Sequence, residues 1–261
     1  PLRGLMTAFN DAYVVDSAED RDALIAADPE CAALIFPCLR GRDLKRWSPA
    51  YQDQWMIVMQ SSGDHTWPWS GLPETEAEAV FARTYPSLYN RFKTHESALR
   101  ARRDQGHYWW ELRSCDYYDL FHRPKILYTD ITWRPEFSYV PEPVFFVNTV
   151  YMWSVDDLWL LAVMNSPLMW LYLWHNAQHG KDEALRLFTA FLETVPVPRP
   201  RDEVRAAVED KVTRLVALSG KRHEVVRHQL DWLRVEFGVS KPGTKLVAPW
   251  ELDRDQWLEE V

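Results

Sequence analysis

Short apolar runs in the first 150 residues have the pattern of β-strands. The clearest are AYVVD (12–16), WMIVMQ (55–60), KILYTDITW (125–133) and PVFFVNTVYMW (143–153). The last two are rich in β-branched and aromatic residues, and proline closes off several such runs. These segments predict short strands.

Helical patterns lie between the predicted strands. Residues 18–28 follow Ser17, which is a suitable N-cap. Residues 87–106 run from Ser87, which follows a proline, to a glycine that can end a helix. The amino-terminal part is therefore predicted to mix helices and strands.

Residues 155–195 are strongly apolar and helical in pattern. Ser154 is a predicted N-cap for VDDLWLLAVMNS, and Pro167 opens a second helix. The longest apolar run, 158–174, is interrupted at Asn165, and a membrane helix needs about 20 apolar residues. We expect a buried two-part segment and no membrane partner.

The carboxyl-terminal tail has helical periodicity on both sides of Gly220. The apolar positions that recur are Val204, Val208, Val212 and Leu215 before it, and Val226, Leu230, Leu233 and Phe237 after it. This pattern predicts two amphipathic helices joined at LSGK (218–221) as a helical hairpin. A loop at 239–250 and a short acidic terminal helix follow. The fold class is thus α+β: a mixed sheet-containing domain with apolar helices over 1–200, and a helical extension over 201–261.

Composition narrows the function classes. The chain has 261 residues, a formal net charge of -8 and 14 tryptophans. The charge argues against a protein that grips nucleic acid over its whole surface, but it permits a local basic face. The tryptophans indicate an aromatic core, a stacking surface for planar ligands, or both.

The termini and cysteines indicate a compartment. The chain begins with Pro1 and has no signal segment, so we expect a piece of a longer protein. Cys31, Cys38 and Cys115 form no C-x-x-C pair. Reduced thiols in the cytoplasm are the expectation.

Signals for catalysis or metal binding are weak. His175 and His179 have a spacing that can bind one metal ion, but no third ligand is evident. Asp64 and His65 lie in a loop without a nucleophile-elbow motif, and no phosphate-binding glycine motif occurs. We expect no catalytic residues and no metal site.

Three basic clusters are the stronger signal. The first is PCLRGRDLKRW (37–47), with Arg40, Arg42, Lys45 and Arg46; the second is Arg91, Lys93, Arg100, Arg102 and Arg103; the third is FHRPKI (121–126), with Lys125. Each alone is typical of a solvated surface. Together, near Trp47, Tyr108, Trp109 and Trp110, they have the composition expected for contacts to phosphates and bases.

The order of these motifs resembles a known family. TAFNDAYVVD (7–16), PCLRGRDLKRW (37–47), LRARRDQGHYWWELRSCDYYDLF (99–121), RPKILYTDI (123–131), LLAVMNSPLMWLYL (160–173) and VPVP (195–198) follow one another. This succession resembles the TaqI-type specificity domain of adenine-specific DNA methyltransferases and fused restriction–modification enzymes, over about 1–200. One departure is Ala8, where the family has glycine, so the first turn is expected to differ in backbone geometry.

The resemblance implies recognition of a short sequence in double-stranded DNA, so that a linked domain can methylate an adenine or cut nearby. S-adenosylmethionine would be bound by an upstream methyltransferase domain of the same chain, because neither an Asn-Pro-Pro-Tyr-type motif nor a glycine-rich donor-binding motif occurs here. We therefore expect no cofactor in these 261 residues, and prokaryotic restriction–modification as the setting.

The residues predicted to contact DNA are Arg40, Arg42, Lys45, Arg46, Thr7, Asn10, Trp110, Arg113 and Lys125. Three alternatives stay open. Asp43 could lock Arg42 or Arg46 in an ion pair that only shapes a turn. The chain could be a protein–protein interaction module with incidental basic patches, or a hydrolase or nuclease with an unrecognised site.

Overall fold

Helices and short strands alternate along the chain in a computed structural model that describes residues 1–239 and 243–260. The helices are α1 Asn10–Tyr13, α2 Ala18–Ala27, α3 Glu74–Thr84, α4 Pro86–Lys93, α5 Glu96–Arg100, α6 Leu158–Met164, α7 Pro167–Asn176, α8 Thr189–Leu192, α9 Asp202–Phe237 and α10 Arg254–Glu260. The strands are β1 Leu2–Arg3, β2 Val14–Val15, β3 Ile35–Leu39, β4 Trp55–Ile57, β5 Lys125–Thr129, β6 Ile131–Thr132, β7 Ser138–Val140, β8 Phe145–Phe146, β9 Val150–Trp153, β10 Gln178–His179 and β11 Leu185–Arg186. The predicted α+β class is confirmed.

The central sheet has the strand order β1-β9-β5-β7 and is antiparallel throughout. Its two faces pack against two different cores, because side chains alternate along each strand. Leu127 and Met152 pair across β5 and β9 and face the first core, which the amino-terminal segments build. Ile126 and Trp153 pair on the opposite face and contact the second core, which includes α6, α7 and the first half of α9.

A second sheet, ordered β2-β4-β3-β8, carries the most basic loop of the chain. The predicted strands at 12–16 and 55–60 are present as β2 and β4. Strand β3 was not predicted, because Pro37 in its middle disfavours a strand. It is tolerated since the parallel pairing with β8 starts at Cys38, after the proline.

Most tryptophans in the first half of the chain belong to the core. Trp110 is fully buried, stacks on Tyr108 with ring centroids 4.9 Å apart, and stacks on Phe81 at 5.1 Å. Trp67 and Trp69 stack at 4.9 Å beside them. The aromatic-core interpretation therefore accounts for this part of the composition.

Two predicted helices, at 87–106 and from 155 onward, have different boundaries in the structure. The segment 87–106 is two helices, α4 and α5, and ends at Arg100. Helix α6 begins at Leu158 and its N-cap is Asp157, whose carboxylate accepts from the Leu160 amide; Ser154 lies too early. Aspartate and serine are comparable N-caps, so the pattern could not rank these positions.

The predicted helical hairpin is wrong: α9 is a single helix of 36 residues that continues through Gly220. Glycine lowers helix propensity by only about 1 kcal/mol and does not force a turn. Here Ser219 and Gly220 are contact positions. Ser219 is buried and donates to the Arg46 carbonyl oxygen, and a Cβ at Gly220 would lie 3.8 Å from Ser48 Oγ.

The end of the chain packs beside α9. The predicted terminal helix is present as α10. Residues 240–242 of the predicted loop lie outside the described residues. Among the described residues, no helix has the length and apolar character needed to cross a membrane.

Candidate functional site

The loop that follows β3 is a tight turn held by its own aspartate. The Arg40 amide donates to Asp43 Oδ2 at 2.7 Å, and the Asp43 amide donates back to the Arg40 carbonyl at 2.9 Å. Asp43 is buried, and burial raises the pKa of its carboxyl. The hydrogen bond from the Arg40 amide and the nearby cations lower this pKa, but by less than burial raises it. Asp43 therefore shapes the turn mainly through a main-chain bond.

Arg40 and Lys45 brace this loop from within its first half. Arg40 donates to Asp16 Oδ1 at 2.8 Å, which ties the loop to the end of β2. Lys45 donates through Nζ to the Arg42 carbonyl at 2.8 Å, and its main chain is held by Ser138. Both side chains are thus engaged with the protein itself.

Arg46 and Trp47 fasten the far end of the loop. Arg46 donates to the Asn165 carbonyl at 2.6 Å, and its guanidinium lies 5.0 Å from the Trp47 ring centroid. Trp47 has φ of 82°, in the left-handed region, while its main chain pairs with Phe137 and Tyr139. Such a backbone costs about 1–3 kcal/mol and persists only where surrounding contacts fix it.

Arg42 is the cation that this bracing presents to solvent. Its side chain is 66% exposed, and its nearest carboxylate oxygen, Asp43 Oδ1, is 3.8 Å away. Behind it, Gly41 packs on the central sheet: a Cβ there would lie 3.1 Å from Thr129 Cγ2 and 3.4 Å from Thr149 Oγ1. The tip of the loop is therefore held in place with the Arg42 guanidinium directed outward, and Arg46, which is bonded to Asn165, is also partly exposed.

The predicted turn at Thr7 and Asn10 is also preorganised. Thr7 is buried and its hydroxyl donates to Asn10 Oδ1 at 2.5 Å, while Asn10 is exposed. Ala8 has φ of 53°. The alanine thus adopts the left-handed conformation that glycine adopts freely, at a steric cost that glycine does not have.

Arg113 lies beside this turn, whereas Trp110 does not reach the surface. Arg113 is half-exposed; its Nη1 is 3.2 Å from Asp104 Oδ1 and 3.6 Å from Met6 Sδ. Trp110 is fully buried in the aromatic core. Of these two predicted DNA contacts, only the side chain of Arg113 is accessible to a ligand.

Lys125, also predicted as a DNA contact, is buried in the central sheet. Its ammonium donates to the Glu142 carbonyl at 3.0 Å, and burial lowers its pKa to about 8. A fully buried ammonium cannot contact a phosphate without a change of structure. The position was predicted from its place before a strand, which does not report which way the side chain points.

Most cations of the second basic cluster are engaged in contacts with the protein itself. Arg91 donates to the carbonyls of Asp11, Ala12 and Val14, and buried Arg102 donates to the Thr7 carbonyl at 2.9 Å. The ammonium of Lys93 and the guanidinium of Arg100 pair with the carboxylates of Glu74, Glu78 and Glu96. These cations hold the fold together.

The Arg42 loop and the Thr7 turn are joined by one short segment. Arg3 is exposed and donates to the Asn148 carbonyl at 2.8 Å, next to the Thr149 that backs Gly41. Four residues span at most about 14 Å, so Arg3 and Thr7 lie within a distance comparable to the width of a DNA major groove. Sequence reasoning missed Arg3, Asn148 and Thr149; the glycine in LRGRD was the signal of a close contact.

Within the described residues no three metal-ligating side chains cluster. His179 contacts the Trp174 carbonyl, and Asp64 accepts from Ser114 and from the Cys115 amide. These contacts are structural and assemble no catalytic triad.

Comparison with known proteins gives three results. Residues 36–197 match the TaqI-like C-terminal specificity domain family, and residues 201–261 match a domain of unknown function, DUF8810. No curated protein matches the sequence. Among solved structures, the Type IIL restriction-modification enzyme MmeI, in complex with DNA, is similar with a TM-score of 0.54 and 11% identity, over 99% of this chain and 30% of that chain. At this identity the likeness shows the fold alone, and the chain spans less than a third of the enzyme's length.

Proposed function

The chain belongs to the family of TaqI-like C-terminal specificity domains, and on that premise we propose that it recognises a specific sequence in double-stranded DNA. The proposal rests on the different contacts that the four cations of the 37–47 loop make. Arg40, Lys45 and Arg46 are engaged in bracing contacts, and Arg42 is held outward at 66% exposure. A rigid, exposed guanidinium suits bidentate contact with a guanine edge or with a phosphate.

The proposed contact surface comprises Arg42, Arg3, Asn10 and Arg113. The amide of Asn10 has the chemistry to pair with an adenine edge, and the three arginines can contact phosphates or guanines. Arg40, Lys45 and Arg46 act in this proposal mainly by fixing the loop. A local basic surface of this kind is compatible with the net charge of -8.

The proposed role within a larger enzyme is to position a separate catalytic domain. An upstream methyltransferase domain of the same chain would bind S-adenosylmethionine, because the motifs for donor and adenine are absent from these 261 residues. Adenine methylation requires the base to leave the helix, so one domain must hold the duplex while the other receives the base. A cytoplasmic location follows from this target and from the free cysteines.

Selection from a randomised duplex library tests the proposal. The 261-residue chain is expected to enrich a short common sequence over several rounds of retention at moderate salt. The matched control is the Arg42→Ala variant, which should enrich that sequence less. Recovery of duplexes with no common sequence would contradict sequence recognition, and retention of no duplex would contradict DNA binding altogether.

A further inference from the structure

Helix α9 has an apolar stripe that the described residues, 1–239 and 243–260, leave exposed. Leu218, Val225 and Trp232 are 62%, 57% and 50% exposed and are spaced seven residues apart. A parallel stripe of the same spacing is buried against the body of the protein; its members are Val212, Ser219, Val226 and Leu233. Since residues seven apart lie on one side of a helix, α9 has one seam in use and another unpartnered.

Exposed cations flank the unpartnered seam. Residues three or four positions apart are neighbours on a helix surface. Arg214, Lys221 and Arg222 therefore neighbour Leu218, and the last two also neighbour Val225. Within the described part of the chain, the exposed cations Lys211, Arg214, Lys221 and Arg222 form no salt bridge. Around Leu218 and Val225 the surface is thus an apolar ridge with a basic border, whereas the neighbours of Trp232 at these spacings include the exposed Glu236.

A second copy of the chain does not fit this ridge. An antiparallel pairing that sets Leu218 against Val225 of the other copy brings Lys221 against Arg222. A parallel pairing sets each cation against itself. Like charges placed opposite one another at a helix interface are unfavourable, so the border selects against self-association.

We propose that this ridge, consisting of Leu215, Leu218, Val225 and Trp232 with its basic border, docks an acidic amphipathic helix of a partner protein. Apolar side chains of the partner would pack between the ridge residues, and its glutamates or aspartates would face Lys211, Arg214 and Lys221. This is the helix-in-groove mode of recognition, read at heptad spacing. The stripe gives affinity and the cations give selectivity.

The seven-residue spacing favours a helix over other anionic partners. DNA contacts depend on cations and do not need a row of exposed leucine, valine and tryptophan. An anionic membrane would bind a broader apolar face, whereas Leu218 and Val225 form a single exposed row between cations. The ridge lies almost entirely within 201–261, which matches a domain of unknown function, and the proposal is independent of DNA recognition.

The test uses the 261-residue chain and two synthetic three-heptad helical peptides. Both carry leucine at the seam positions; one has glutamate and the other lysine at the flanking positions. By fluorescence anisotropy, the acidic peptide is expected to bind with a Kd in about the micromolar range and the basic one at least about tenfold more weakly. A scrambled acidic peptide without the seam should not bind.

Variants locate the binding. Val225→Asp is expected to weaken the acidic peptide at least about tenfold, and Leu168→Asp, at an exposed position outside the ridge, should leave it unchanged. The double variant Arg214→Glu, Lys221→Glu should reverse the preference toward the basic peptide. Thermal unfolding confirms that each variant folds.

Four outcomes would overturn the proposal. The first two are that the acidic peptide does not bind, and that it binds Val225→Asp as well as the unmodified chain. The third is that sedimentation shows a dimer which Leu218→Asp dissociates. The fourth is that the chain does not bind the acidic peptide but binds DNA or anionic vesicles, and that Lys221→Glu abolishes this binding. The last would identify the ridge as a surface for a different anion.

Discussion

Arg46 donates a hydrogen bond of 2.6 Å to the main-chain oxygen of Asn165, a residue 119 positions away. Asn165 is fully buried, and its side-chain amide bonds both main-chain groups of Phe137, at 3.2 Å and 2.8 Å. Phe137 in turn accepts from the Trp47 amide. The basic loop is thus anchored on the junction between α6 and α7, and two motifs distant in sequence form one structural unit.

Asn165→Ala should lower the free energy of unfolding by about 3 kcal/mol, because it leaves the buried Phe137 amide N–H without a partner and removes one of the two hydrogen bonds that the Phe137 carbonyl accepts. Urea unfolding measures the change. The matched control is Asn176→Ala, which removes an exposed bond to Tyr172 and should change stability by less than about 0.5 kcal/mol. Equal effects of the two substitutions would contradict the anchoring role.

Ala8→Gly should stabilise the protein. An L-residue in the left-handed region costs about 1–2 kcal/mol, which glycine would relieve. The greater conformational freedom of glycine in the unfolded chain offsets part of this stabilisation. We expect a rise of about 0.5–1 kcal/mol in the free energy of unfolding. Ala79→Gly, at an exposed position inside α3, should lower it by about 1 kcal/mol. A loss of stability for Ala8→Gly would refute the strained-turn interpretation.

Gly220→Ala tests whether α9 is one helix. Because the position is helical and a Cβ has room beside Ser48, alanine should raise the free energy of unfolding by about 1 kcal/mol. At Gly238, which ends α9 with φ of 67°, alanine should lower it by about 1 kcal/mol. Destabilisation by Gly220→Ala would instead favour a hairpin turn at this glycine.

Lys125 should give the protein a distinct pH dependence. Its pKa is lowered by burial to about 8, below its ordinary value, so between pH 8 and the ordinary lysine pKa the unfolded chain binds more protons. Stability should therefore rise with pH across this window, relative to Lys125→Met, by about 3 kcal/mol in total and by about 2 kcal/mol by pH 9.5. Chemical denaturation of both proteins from pH 7.0 to 9.5 (about the range before tyrosines ionise) measures the difference. Parallel pH profiles would contradict the buried, perturbed ammonium.

The sequence predicted the α+β class, the four clearest strand regions, the N-cap at Ser17 and the helix start at Pro167, since these depend on local periodicity and capping chemistry. It did not predict β3, because local propensity at Pro37 opposes a strand that tertiary pairing supports. The continuity of α9 was missed for a related reason: next to Gly220, Ser219 donates to the carbonyl of Arg46, which is distant in sequence.

For the site, the sequence identified the correct loop as the most unusual feature but could not rank its cations. Which of Arg40, Arg42, Lys45 and Arg46 is engaged depends on partners such as Asp16 and Asn165, which lie far along the chain. Trp110 and Lys125 are both fully buried, and the sequence did not reveal this. Residue type indicates which side chains could contact DNA, whereas the fold determines which of them are exposed at the surface.

The exposed guanidinium of Arg42 is the centre of the account, and DNA binding as a function of salt tests it most directly. Fluorescence anisotropy with short duplexes, from about 50 to 200 mM salt, should show affinity that falls steeply as phosphate contacts are screened. Arg42→Ala should weaken binding by about 1–3 kcal/mol, or lower the salt slope by about one unit, while leaving the free energy of unfolding unchanged within about 0.5 kcal/mol. Arg83→Ala, an exposed arginine on α3, is the matched control and should bind as the unmodified chain does. Absence of binding at about 50 mM salt, or equal binding by Arg42→Ala and the unmodified chain, would contradict the account.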